Sequence, residues 1–205
     1  MLKIYLARHG QDVDNVNGVL NGHRDKVLTD LGREQAVMTA QFIADAGLAL
    51  DAIYASPLRR AHETAEIIAK ELDSSQPVVL KSLIERDFGV MTGRLISEIP
   101  DLCSPEIIET QLITYFLSPV GAESFPVLIE RGKRVIAEIQ DKHSFGSVLL
   151  VTHGDVGKMI YAAYYGLDWK DVLTNFHFGN GEVLLMSETV SAAETQLFQQ
   201  PQYNH

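Results

Sequence analysis

Cysteine is almost missing from this chain: Cys103 is the only one. A lone thiol closes no internal disulfide and supplies no CxxC zinc or redox motif, so Cys103 reads as a buried spectator. Long apolar runs are missing too. No stretch approaches the roughly 20 residues that span a bilayer, and the opening MLKIYLARHG lacks the apolar stretch and small-residue cleavage site of a secretory leader. The expectation is a cytoplasmic protein that binds no membrane. Positive charge is scarce, with 17 Lys and Arg against 27 Asp and Glu and a formal net charge of -10. That balance repels nucleic acid at long range, so an anionic ligand must be held by a local cluster of cations in a pocket.

What is present is globular in proportion. The 205 residues are 46% hydrophobic and 21% charged, which suits one medium-sized domain over residues 1–205. Residues 2–7 are a mostly apolar strand running into Arg8, His9 and Gly10. Further strands are expected at 51–56, 78–80, 147–152, 182–187 and 195–199. Between them, residues 31–46 repeat Val37, Ala40, Ile43 and Ala44 at helical steps, and a helix begun at Pro57 aligns Ala61, Ala65, Ile68 and Leu72. A long helix over 124–141 carries Phe125, Leu128, Val135 and Ile139, and another helical pattern follows Gly154. This alternation predicts an α/β protein, a three-layer α/β/α sandwich with a mostly parallel central sheet. Residues 93–123 break the rhythm with Pro100, Pro105 and Pro119 around a helical candidate at 106–117. They are expected to form a short helical lid, and the closing QQPQYNH a frayed tail.

In a parallel sheet, ligands gather outside the carboxyl ends of the strands. Arg8-His9-Gly10 follows the first strand, SPLRRA at 56–61 the second, Glu85 the third and Thr152-His153-Gly154 the fourth. Any one of these is weak: a strand-end His can cap a loop, and an Arg on a first helical turn can be a solvated charge. Together they bring imidazole, guanidinium and carboxyl groups to one edge. Guanidinium forks suit the oxygens of a phosphoryl group, a neutral imidazole nitrogen can accept it, and a carboxylic acid can protonate a departing alkoxide.

The ordered set RHGQDVDN (8–15), LNGHRDKVLTDLG (20–32), SPLRRAHETA (56–65), ERDFGVMTG (85–93), GAES (121–124) and VTHG (151–154) resembles the histidine phosphatase superfamily, the phosphoglycerate mutase-like proteins. The resemblance covers most of the chain. It implies that His9 is transiently phosphorylated, that Arg8, Arg60 and His153 surround the phosphate, and that Glu85 supplies the proton to the leaving oxygen. Asn15 matches a further polar position of that pocket; Asn21, Gly22 and Thr29 match a stretch bordering it, and Gly154 follows the phosphate-binding His153. Thr29 reads equally well as a helix-start hydroxyl, and Arg59 as a solvent-facing neighbour of Arg60. No metal or other cofactor is required.

The implied activity is a phosphomonoesterase acting on a small phosphorylated metabolite. A mutase returning the phosphate to another hydroxyl, and a binding module with little turnover, are the alternatives. Mutases of the family are generally longer, whereas residues 93–123 are compact, which favours hydrolysis; intact His9 and Glu85 disfavour the binding module. Gln11, Asp12 and Thr92 stand where relatives commonly have Glu, Thr and Glu, which leaves the substrate open, as the sequence also leaves the oligomeric state. Tyr115 and Phe116 read either as contacts to the leaving group or as core anchors of the lid.

Overall fold

The computed structural model describes residues 1–202. Strands β1 (Leu2–Arg8), β2 (Ala52–Ala55), β3 (Val78–Val79), β4 (Ile107–Glu109), β5 (Thr114–Phe116), β6 (Gly146–Thr152), β7 (Val183–Met186) and β8 (Gln196–Phe198) alternate with helices. The helices are α1 (Val13–Val16), α2 (Asp30–Asp45), α3 (Arg59–Glu71), α4 (Ile99–Cys103), α5 (Phe125–Lys142), α6 (Gly154–Tyr165) and α7 (Trp169–Asn175). Six strands form the central sheet in the order β3-β2-β6-β1-β7-β8. The pairs β3/β2, β2/β6 and β6/β1 are parallel, while β7 and β8 close the edge antiparallel. This is the expected mixed α/β architecture with a mostly parallel sheet.

Strand alternation divides the core. Ile4, Leu6, Val148 and Leu150 face α5 and α6, meeting Leu128, Val135, Met159 and Ile160. Tyr5, Ala7, Leu149 and Val151 face α2 and α3, meeting Ala40, Ile43, Ala61, Ala65 and Ile68. Among the described residues no helix is long and apolar enough to cross a membrane.

Four local expectations need correction. The helix expected over 106–117 is absent: β4 and β5 pair as an antiparallel hairpin, so the only α-helix in the segment is α4. The run Ile107-Ile108 and Thr114-Tyr115-Phe116 is rich in β-branched and aromatic residues, and Thr110 closes the turn by bonding Ile113. Tyr115 and Phe116 are buried, and Phe116 joins Phe88, Met91, Ile99 and Cys103 in a third cluster. On α2, Val37 and Ala44 face solvent, and Gln35, Ala36 and Thr39 join Ala40 and Ile43 on the buried side. Thr39 donates to the Gly181 carbonyl at 2.8 Å, so the helix turns a polar edge inward to fasten a loop. The third correction concerns the tail. Its residues 203–205 lie outside the described ones, but Gln200 is buried against Gln35 and Gly181, and Gln202 accepts the Asn180 N–H at 2.8 Å. Pro57, expected on the first turn, sits two residues before α3.

Candidate active site

Arg8 on β1 pairs in register with Thr152 on β6, and Ala55 on β2 with Val151. The parallel strands therefore end side by side, and His9, Ser56 and His153 leave the sheet at one edge. Glu85 reaches the same edge through the loop beyond β3, after the short turn Lys81–Leu83.

His9 is buried, and its Nδ1 lies 2.6 Å from the Gly10 carbonyl oxygen. A carbonyl only accepts, so Nδ1 carries the proton and Nε2 keeps its lone pair. Arg60 directs Nε–H at that lone pair, 3.3 Å away, and at His153 Nδ1, 3.2 Å away. Acceptance at Nδ1 puts the His153 proton on Nε2, which donates to Ser56 Oγ at 2.7 Å. The two imidazoles meet edge to face with centroids 5.1 Å apart. Burial drives both well below the ordinary imidazole value of 6.5, and the charges of Arg60 and Arg8 act in the same sense.

Arg60, fully buried on the first turn of α3, is immobilised: Nη1 donates to the Arg24 carbonyl at 2.8 Å and Nη2 to the Gly22 carbonyl at 2.9 Å. Its Nε also stands 3.3 Å from Asp12 Oδ2. Arg59 is exposed. Arg8 is half-buried, with Nη1 donating to the Phe178 carbonyl at 2.8 Å. Glu85 is buried. Oε1 accepts from the backbone N–H of Arg86 at 2.8 Å and of Val156 at 3.1 Å, and Oε2 from that of Asp155 at 3.4 Å. Burial raises its carboxyl above the usual 4.5, Asp155 adds to that, and the Arg86 N–H and Arg60 oppose it.

His9, Arg60 and His153 thus touch one another, while Arg8 and Glu85 flank them. Asn15 and Asp12 form a reciprocal cap on α1, and Asn21 Nδ2 donates to Asp12 Oδ2 at 2.7 Å. Thr29 N-caps α2 through the Gly32 N–H and donates to Gln11 Oε1 at 2.9 Å, so it meets this edge through Gln11. The loop and α2 approach very closely: a Cβ on Gly32 would stand 2.0 Å from the Gln11 carbonyl oxygen, and one on Gly10 2.1 Å from that of Gly32. Only glycine fits either position.

Sequence reasoning missed four residues. Ser56 orients His153, although its place in SPLRR at a strand end was a signal. Asn180, in the Gly-Asn-Gly turn before β7, donates to the His9 carbonyl at 2.9 Å. Buried Arg86 ion-pairs with Asp155 at 2.8 Å and lies over Phe88, Phe116 and Phe125, with ring centroids 4.9, 4.3 and 4.4 Å away. Lys158 is buried against the Tyr115 hydroxyl, and desolvation pushes its ammonium down to about 8. Neither Arg86 nor Lys158 announces its burial in sequence, because long cations are usually solvated. A groove of about 620 Å³ between α5, α6 and the loop after β7 holds none of these groups.

Comparison with known proteins places the chain in a family. The model of the histidine phosphatase superfamily, branch 1, matches residues 4–198. A metal-independent phosphoserine phosphatase of Arabidopsis thaliana is 31% identical over 166 residues, which cover 78% of this chain and 67% of the relative. A 2,3-bisphosphoglycerate-dependent phosphoglycerate mutase of Bartonella henselae is 28% identical over 179 residues, 83% of this chain and 85% of the relative. A mycobacterial glucosyl-3-phosphoglycerate phosphatase solved with VO3 superposes with a TM-score of 0.76 at 26% identity, covering 90% of this chain and 92% of that one. With nearly its whole described length matched, and an imidazole pair sharing one guanidinium at the strand ends, the chain belongs to the histidine phosphatase superfamily, branch 1.

Proposed function

We propose that the protein hydrolyses monoesters of phosphate with small metabolites through a phosphohistidine at His9. The observation that carries the reading is the fixed tautomer: Nδ1–H is spent on the Gly10 carbonyl, so Nε2 faces the Arg60 edge unprotonated. In the first step Nε2 attacks phosphorus, the N–P bond forms, and the ester P–O bond breaks as the leaving oxygen takes a proton from Glu85. In the second, a water gives a proton to the Glu85 carboxylate and attacks phosphorus, freeing phosphate and restoring His9. Arg8, Arg60 and His153 hold the equatorial oxygens while charge spreads over them. The raised carboxyl of Glu85 and the neutral imidazole of His9 are the protonation states that this sequence of steps needs.

Asn15, Asn21, Gly22 and Gly154 shape the rim of that pocket, with Thr29 behind it through Gln11. Residues 93–123 act as a cover on the leaving-group side within one domain, a reading supported by the Tyr115 contact with Lys158, one turn along α6 from Gly154. The lone buried Cys103 suits a reducing, cytoplasmic setting. Hydrolysis is favoured over mutase action because 93–123 adds only α4 and the β4–β5 hairpin beyond short turns.

The test incubates purified protein with sugar phosphates, phosphoglycerates, phosphoserine and phosphopeptides, measuring free phosphate and isomerised product separately. Phosphate release is expected, with acid-labile phosphoenzyme trapped in the wild type and lost in His9→Ala. Isomerised product alone makes it a mutase, binding without turnover a binding module, and labelling that persists in His9→Ala removes the nucleophile.

A further inference from the structure

Asp12 is a carboxylate in a place that ought to be kept for phosphate. Its side chain is fully buried, and three groups hold it: Asn21 Nδ2 donates to Oδ2 at 2.7 Å, the Asn15 N–H donates to Oδ1 at 2.8 Å, and Arg60 Nε stands 3.3 Å from Oδ2. It cannot swing aside. Arg60 cannot either, since its other two nitrogens are tied to the Arg24 and Gly22 carbonyls. Yet the Nε that stands beside Asp12 points its hydrogen at His9 Nε2, 3.3 Å away, and at His153 Nδ1, 3.2 Å away. A phosphoryl oxygen that takes this donor while its phosphorus meets His9 therefore sits beside the Asp12 carboxylate.

Two anionic oxygens in contact, away from water, cannot both stay unprotonated. The charge count agrees. The guanidinium charges of Arg8 and Arg60 face a phosphate dianion, so an ionised Asp12 leaves an excess of negative charge; Glu85, which also acts on Arg60, adds to that excess when ionised, and Asp14 and Arg24 cancel each other in a 2.7 Å ion pair.

We propose, resting on the phosphate site assigned above, that Asp12 is a specificity-determining residue that makes filling of the pocket proton-linked. The site takes the phosphate monoanion, or the dianion together with one proton, and that proton lies between Asp12 Oδ2 and a phosphoryl oxygen. The empty pocket already leans this way: burial raises the Asp12 carboxyl and Asp14 adds to it, against the pull of Arg60 and the Asn15 and Asn21 donors. The chemical consequence is a preference for phosphate esters that retain a proton, and binding that weakens toward alkaline pH.

The experiment is calorimetry of inorganic phosphate binding to the intact protein, in buffers of different ionisation enthalpy, from roughly pH 6 to pH 9. Above the second ionisation of phosphate, the wild type should take up close to one proton per phosphate bound, and its affinity should fall about tenfold per pH unit. In Asp12→Asn the uptake should vanish, and affinity at the alkaline end should rise about tenfold or more; Asp12→Thr supplies a second neutral side chain. Glu85→Gln should leave the uptake intact. Binding by the wild type with no proton uptake overturns the proposal without any variant, as does uptake that survives Asp12→Asn and disappears in Glu85→Gln. Phosphate binding that is indifferent to Arg60→Ala instead removes the phosphate site itself, and the role of Asp12 falls with it.

Discussion

At the scale of single side chains, hydrogen bonding decides what each titratable group can do. His9 and His153 are both neutral imidazoles beside Arg60, but opposite nitrogens carry their protons, because one donates to the Gly10 carbonyl and the other to Ser56. Both remaining lone pairs, on His9 Nε2 and His153 Nδ1, face the Nε–H of Arg60. Glu85 accepts three backbone N–H groups, two of them on Oε1, which leaves Oε2 the lightly held oxygen to carry a proton. Glu85→Gln should therefore slow esters of poorly acidic alcohols by roughly a hundredfold or more and activated aryl esters far less. The measurement is kcat/KM against leaving-group acidity, and equal losses across the series would remove the proton-donor role. Because burial raises the Glu85 carboxyl, the wild-type rate on alkyl esters should hold to higher pH than an ordinary carboxylic acid allows, then fall as Glu85 ionises. His9, Arg60 and His153 were legible in the sequence as strand-end residues. Ser56 stands at a strand end too, but its role and that of Asn180 were not legible, since a buried hydroxyl or amide that orients a neighbour looks like any turn residue until its partner is known.

Whole elements locate these groups. α2 begins against the His9 loop with no side chain between them, and the Gly32 position leaves a Cβ only 2.0 Å from the Gln11 carbonyl oxygen. Gly32→Ala must push helix and loop apart, an overpacking that costs about 1–3 kcal/mol. A lower Tm together with a raised KM is expected, and an unchanged Tm would mean that the loop is not braced by α2. The helix itself was readable from its 3.6-residue spacing, but its inward face was misjudged, because Gln35 and Thr39 are buried for their hydrogen bonds and not for their hydrophobicity. The β4–β5 hairpin was misread for a related reason. Short apolar runs carry no decisive period, and what settles 107–116 as strands is the partner across the turn and the Phe88, Met91 and Phe116 cluster beneath it.

For the molecule as a whole, burying two neutral imidazoles ties stability to pH. In the unfolded chain each takes up a proton near 6.5, whereas in the fold each does so only at lower pH. As pH falls through 6.5 the unfolded state binds more protons, so these groups support the fold above that value and withdraw support below it, each by about 1.4 kcal/mol per pH unit. The raised carboxyls of Glu85 and Asp12 act oppositely, stabilising the fold as pH drops toward their ordinary range. The informative quantity is thus the difference between wild type and His153→Asn in urea midpoints from roughly pH 8 to pH 5. The variant should lose less stability on acidification, and an equal loss would place the His153 proton elsewhere. By itself the sequence determined the alternation of strands and helices, and with it which residues stand at strand ends, because side-chain period and turn chemistry are local properties written along the chain. Only the tertiary structure decided that Asp12 shares a guanidinium with His9, that Arg86 lies among aromatic rings and that the C-terminal Gln200 braces α2. Those contacts join residues far apart in the chain, and the packing of the two helical layers, not any local preference, sets their distances.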